Sequence, residues 1–121
     1  MERLINVFGG KGFVGGRFCE LNSNVVRNGR VDYIVSKYTS EVLYFISTID
    51  NYNVHTDPYI DIDTNLTTLI RVLESCKNKN ITFNFISSWF VYGDVELPAK
   101  ETANCDPKGF YSITKRAAEQ L

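Results

Sequence analysis

Eight residues near the N-terminus, Phe8-Gly9-Gly10-Lys11-Gly12-Phe13-Val14-Gly15, constrain the fold of this chain more than any other stretch. They follow a short apolar run, Leu4-Ile5-Asn6-Val7-Phe8, that reads as a buried strand. They lead into Gly15–Leu21, which reads as the opening of a helix that Asn22-Ser23-Asn24 ends. Glycines between a strand and a helix allow a tight turn, let the backbone approach a pyrophosphate, and let helix and strand pack closely. The helix N-terminus adds free N–H groups and a partial positive charge. By letters, Gly10, Gly12 and Gly15 satisfy G-x-G-x-x-G, and Gly9, Gly12 and Gly15 satisfy G-x-x-G-x-x-G. A mononucleotide phosphate loop is excluded, because Lys11 is not followed by Ser or Thr.

The rest of the chain alternates strand and helix signals. A second short strand falls within Val25–Val35, as either Val25-Val26-Arg27 or Val31-Asp32-Tyr33-Ile34-Val35. Val42–Thr48 is a nearly continuous apolar run, as expected of a parallel strand covered on both faces. Asp57-Pro58 breaks the loop that follows. Asp63 or Thr64 then caps a helix whose Leu66, Leu69, Ile70 and Leu73 fall at i, i+3, i+4, i+7. Lys77–Asn80 ends it, Ile81–Ser87 is the next strand, and a helix runs from about Phe110 to the end. This order predicts a Rossmann-type α/β fold, a parallel sheet with helices on both faces joined by right-handed crossovers. At 121 residues the chain is sized for one domain.

Composition narrows the function classes. A net charge of −1 provides no basic field for nucleic acid or an anionic membrane. No apolar run approaches the roughly 18–20 residues of a membrane span, and the N-terminus has no signal-peptide anatomy. Cys19, Cys76 and Cys105 are odd in number and lack C-x-x-C spacing, so they read as reduced thiols of a cytoplasmic protein. The one histidine, His55, sits in a polar stretch with no nucleophile to serve and no metal-ligand pattern.

Tyr111-Ser112-Ile113-Thr114-Lys115 places a phenol and an ammonium at i and i+4, on one face of the last helix. Ile113, Ala117 and Leu121 are expected to face the core behind them. Tyr33 and Lys37 repeat the letters in a strand-like segment, where the two side chains would not meet. Only the later pair is preceded by Ser87-Ser88 at the carboxyl end of a strand, where open α/β sheets bind ligands.

Together these features resemble the extended short-chain dehydrogenase/reductases, also called the NAD-dependent epimerase/dehydratase family. The resemblance rests on Gly9–Gly15, Asn65-Leu66-Thr67, the block Ile86-Ser87-Ser88-Trp89-Phe90-Val91-Tyr92-Gly93-Asp94, Glu101-Thr102, and Phe110–Gln120. It implies that Tyr111 is the general acid/base, Lys115 its partner, Ser88 the hydroxyl that orients substrate, and Asn65 the helix asparagine that supports the lysine. It further implies NAD or NADP held by Gly9, Gly10, Lys11, Gly12, Phe13, Val14 and Gly15, with Tyr111 and Lys115 at the reacting end. If the second strand is Val25–Arg27, Arg27 and Lys11 suit a 2′-phosphate and NADP. If it is Val31–Val35, Asp32 becomes the ribose acid and NAD is preferred. The former is favoured slightly, because Asn22-Ser23-Asn24 is the better helix end.

The implied activity is hydride transfer on a nucleotide-linked sugar or similar alcohol, and the expected partners are that small molecule and, at most, a second copy in a homodimer. The alternative is a non-catalytic Rossmann module that binds the dinucleotide without turnover. The chain departs from the family in two ways. Only about 25 residues separate Gly15 from Val42, too few for the usual extra βα unit, so the third strand is expected to be reduced or missing. The sequence also stops inside the Tyr-x-x-x-Lys helix, short of the later strands and the substrate lobe, as either part of a longer enzyme or a naturally curtailed relative.

Overall fold

The computed structural model describes residues 3–121. Four strands, β1 (Ile5–Phe8), β2 (Val25–Arg27), β3 (Glu41–Tyr44) and β4 (Thr82–Phe85), form one parallel sheet in the order β2-β1-β3-β4. The helices are α1 (Phe13–Leu21), α2 (Tyr59–Ile62), α3 (Thr68–Ser75) and α4 (Phe110–Glu119). A π-helical segment, Asp63–Thr67, connects α2 to α3, and 3-10 turns cover Asn53–His55 and Trp89–Val91. The chain divides into two compact units. One contains the residues through Ile46 with Thr68–Ile86, hence the sheet, α1 and α3. The other contains Ser47–Thr67 with Ser87–Leu121, hence α2, the π segment, the 3-10 turns and α4.

The core of the first unit is built on β1 and β3. Val7, Phe8, Val42 and Tyr44 are buried, and from α3 so are Leu69 and Val72. The Tyr44 ring stands 5.7 Å from that of Phe83 and 6.1 Å from that of Phe85. Its hydroxyl has no hydrogen-bond partner among the described residues. Burial first, and Tyr33 second, push this phenol well above its ordinary range, so it stays neutral.

β2 is the second strand at Val25–Arg27, while 31–35 is irregular. No strand pairs with its outer edge among the described residues, in agreement with the expectation that the family's additional βα unit is reduced or missing. The chain returns from β2 to β3 through residues 28–40 alone, close to the minimum for a parallel crossover and without a helix. Asn6, fully buried in the middle of β1, holds this return in place. Its Oδ1 accepts from the Ser36 N–H and hydroxyl, both at 2.9 Å, and from the Thr39 hydroxyl, while its Nδ2 donates to Asn28 Oδ1 at 2.5 Å. A polar residue in a buried strand is satisfied here by the loop that replaces a βα unit.

Several sequence expectations are corrected. The strands expected at Val42–Thr48 and Ile81–Ser87 are shorter, and α1 begins at Phe13 rather than Gly15. The helical run expected from Asp63 starts at Tyr59. On α3, Val72 is buried with Leu69 while Ile70 is exposed. Asn65, expected at a helix start, lies inside that π segment.

Candidate functional site

The glycine turn belongs to the first unit. Gly9 has φ +79°, the left-handed conformation that opens the turn after β1. A Cβ on Gly15 would lie 2.3 Å from the Gly9 carbonyl oxygen, so α1 comes against the turn closely enough that only glycine fits. A Cβ on Gly12 would meet just that oxygen, at 3.3 Å. The register Gly9-x-x-Gly12-x-x-Gly15 thus carries the turn, the open approach and the close packing in that order. Gly12 is the N-cap of α1 and offers no side-chain cap to the first N–H groups of the helix. Phe13 and Val14 are exposed.

Beside the turn is a groove of about 800 Å³ lined in part by Lys11, Gly12, Phe13, Arg17 and Arg27. Arg17 is paired with Glu20 at 3.1 Å. Arg27, at the end of β2, donates from Nη2 to the Gly16 carbonyl at 3.1 Å. Asp32 is exposed in the irregular return, where its carboxylate accepts from Asn28 Nδ2 at 3.2 Å. The structure therefore places the cations Lys11 and Arg27 at the turn and Asp32 in a local loop contact.

The second unit contains Asn65, Ser88, Tyr111 and Lys115 together. Tyr111 and Lys115, one turn apart on α4, are buried with relative exposures of 7% and 2%. The expected facing of α4 is inverted, since Ile113 and Leu121 are exposed, while Tyr111, Thr114, Lys115 and Ala118 point inward. The helix start is fixed from a distance in sequence. Asn51 Oδ1 accepts from the Ser112 N–H at 3.1 Å, doing the work of an N-cap side chain. Asn51 was not foreseen, because nothing local to the helix signals a cap 61 residues away.

Two chains of contacts lead to Tyr111. Ser88 Oγ accepts from the Phe90 N–H at 3.2 Å, and the Phe90 ring meets the Tyr111 ring edge-on, 5.9 Å between centroids and 87° between planes. Asn65 Nδ2 donates to Thr114 Oγ1 at 3.0 Å, and the Thr114 hydroxyl donates to the Tyr111 carbonyl at 2.8 Å. Tyr33 and Lys37 make separate ring contacts, with Arg71 over the Tyr33 ring and Lys37 over the Tyr38 ring. Among the described residues no cluster of His, Cys, Asp and Glu could hold a metal ion. No helix among them is long and apolar enough to cross a membrane.

Burial brings Lys115 down to about 8 from the usual lysine value near 10.5, against a smaller upward pull from Glu119. Between these values the folded chain binds fewer protons at Lys115 than the unfolded chain. The contribution of this group to stability is therefore lowest below pH 8 and rises as pH climbs towards 10.5. Relative to wild type, Lys115→Met should lose about 1–2 kcal/mol of that rise between about pH 7.5 and 9.5. Urea melts of both proteins at the two pH values measure it, and identical pH slopes would contradict the burial of a titrating ammonium.

A parallel sheet opened by this glycine turn defines a Rossmann-type fold. Solved structures of the same shape include RMD of Pseudomonas aeruginosa in complex with NADPH, with a TM-score of 0.84 and 23% identity over 99% of this chain and 47% of that one. UDP-glucose 4-epimerase of Brucella ovis, in complex with NAD, matches with a TM-score of 0.84 and 21% identity over 98% of this chain and 46% of that one. The sequence model of the NAD dependent epimerase/dehydratase family matches residues 22–121, and the chain belongs to that family. A dTDP-glucose 4,6-dehydratase of Mycolicibacterium smegmatis is 33% identical over 84 residues, which are 66% of this chain and 25% of the dehydratase. The chain thus spans about a quarter of that relative and about half of each matched structure.

Proposed function

We propose that the protein is a cytoplasmic NAD(P)-dependent epimerase, dehydratase or reductase of a nucleotide-linked sugar or similar alcohol, with residues 1–121 as its dinucleotide-binding part. The observation that carries this reading is that Asn65, Ser88, Tyr111 and Lys115 lie within one compact unit, with Asn65 linked to Tyr111 through Thr114 and Ser88 through Phe90, in a chain of this family. Several proteins of this fold have been solved in complex with a nucleotide sugar, a nicotinamide dinucleotide or both.

The residues fit such a cofactor. Gly12 leaves room at the N-terminus of α1 for a pyrophosphate, and the uncapped N–H groups there suit its charge. The bound cofactor supplies the hydride acceptor. Ser88 would orient the substrate hydroxyl, and Tyr111 would take that hydroxyl's proton on its phenol oxygen. Lys115 brings a positive charge one turn further along the same helix. Phe90 and Thr114 hold the Tyr111 ring and backbone in place, so little motion is needed during the transfer. The test is incubation of the full-length protein with NAD or NADP and a panel of UDP- and dTDP-linked sugars, followed by NMR of the sugar. Conversion that requires Tyr111 supports the reading, and dinucleotide binding with no conversion of any sugar would refute the enzyme.

The lysine and arginine at the turn favour NADPH over NADH. A 2′-phosphate gains charge-assisted hydrogen bonds from Lys11 and Arg27, each worth about 1.5–3 kcal/mol, while a bare hydroxyl gains little. NADPH should therefore bind more tightly by about 100-fold or more, with a large part of that margin lost in each of Lys11→Ala and Arg27→Ala. Dissociation constants for both cofactors decide the matter. Tighter NADH binding that collapses only in Asp32→Ala would reverse the assignment.

A further inference from the structure

Asp61, on α2, is fully buried, and the site as assigned above leaves it without a role. Its Oδ1 accepts from the Thr48 hydroxyl at 2.5 Å and from Asn53 Nδ2 at 3.3 Å, while its Oδ2 has no hydrogen-bond partner among the described residues. A buried carboxylate oxygen left in this way is destabilising, and an apolar residue of similar volume would serve the fold better. The position therefore calls for a reason other than stability.

That reason lies in the direction of the hydrogen bonds. The Thr48 hydroxyl has a single proton, which goes to Asp61, so its lone pairs face Asn65 Nδ2, which donates to them at 2.8 Å. The Thr48 N–H in turn donates to Asn65 Oδ1 at 2.9 Å. These two contacts leave one orientation for the Asn65 amide, and the second Nδ2 proton goes to Thr114 Oγ1. Thr114 passes its own proton to the Tyr111 carbonyl. Every link has a fixed donor and acceptor, and the chain ends at Asp61 with a group that accepts.

We propose that Asp61 is a positioning residue, the terminal acceptor that fixes the Asn65 amide through Thr48 and so holds the first turn of α4, with Tyr111, in its working place. The inference rests on the catalytic reading of Tyr111 given above. A misplaced catalytic group costs rate rather than cofactor affinity.

The test compares Asp61→Leu, Asp61→Asn and Thr48→Val in the full-length protein. Asp61→Leu removes the acceptor at similar volume and should lower kcat roughly 10- to 100-fold. Its dinucleotide Kd should stay within about 2-fold of wild type. Asp61→Asn keeps an acceptor for the Thr48 hydroxyl and should retain kcat within about 3-fold. Thr48→Val should reproduce the loss seen in Asp61→Leu, and the double variant should be no worse than either, because one chain is cut twice. Thr48→Val also stands in if Asp61→Leu does not fold. The side-chain amide resonances of Asn65 provide a second measurement, independent of turnover: slow hydrogen exchange in wild type and Asp61→Asn, fast exchange in Asp61→Leu and Thr48→Val. An unchanged kcat in Asp61→Leu, a loss in Asp61→Asn as large as in Asp61→Leu, additive losses, or Asn65 exchange indifferent to Asp61 would each overturn the proposal. A protein with no activity on any sugar but with Asn65 exchange following this pattern would refute the function and leave the positioning intact.

Discussion

Replacing Tyr111 by Phe will lower kcat by about 100-fold or more while leaving dinucleotide affinity within a few-fold of wild type. The change deletes one oxygen and keeps the ring. The ring is what Phe90 meets edge-on, and the Thr114 hydroxyl binds the backbone carbonyl of residue 111, so both contacts survive the substitution. Lys115 is also untouched. A large loss of rate in a folded protein that still binds cofactor then has one source, the missing proton acceptor. Tyr33→Phe is the control, because Tyr33 packs against Arg71 in the other compact unit and should leave kcat unchanged within about 2-fold. Steady-state kinetics and cofactor titration of both variants are sufficient. Equal losses from the two would overturn the assignment of Tyr111 as the acid/base.

The parts of this protein that were legible in the sequence are those governed by local demands. Gly9, Gly12 and Gly15 answer to a turn, an opening and a close approach within seven consecutive residues, so the strand–turn–helix is readable from letters alone. That no further strand lies outside β2 among the described residues is likewise a matter of counting residues between β1 and β3. What escaped has its cause elsewhere in the chain. Asn6 looks like a flaw in a buried strand until Ser36 and Thr39 are seen to complete it. The π segment defeats a reading that assumes 3.6 residues per turn, and with it goes the setting of Asn65. The facing of α4 was inverted because apolar Ile113 and Leu121 were assigned to the interior, whereas the interior is occupied by Tyr111, Thr114 and Lys115. Burying a phenol and an ammonium is costly, and periodicity reports hydrophobicity rather than chemistry.

The glycines of the turn offer the second large effect, and the two ends of the motif should fail differently. Gly12 has φ −79° and ψ −179°, which any residue adopts, and an added side chain would meet only the Gly9 carbonyl oxygen at 3.3 Å. Gly12→Val should therefore fold with little change in Tm. The valine methyl groups, however, would stand at the open N-terminus of α1, where a pyrophosphate must come against bare backbone. Dinucleotide affinity should fall by about 100-fold or more, the scale of several lost contacts to charged oxygens. Gly15 is the opposite case. Even the single methyl of Gly15→Ala would be driven to 2.3 Å from the Gly9 oxygen and 3.0 Å from its carbonyl carbon, and backbone atoms cannot swing aside as a side chain can. Separating α1 from the turn should cost about 1–3 kcal/mol, seen as a lower Tm and a lower urea midpoint. Calorimetric titration and thermal melts of the two variants distinguish the roles. Wild-type affinity in Gly12→Val would remove the pyrophosphate from this turn, and a wild-type melt in Gly15→Ala would mean that helix and turn are not in close contact.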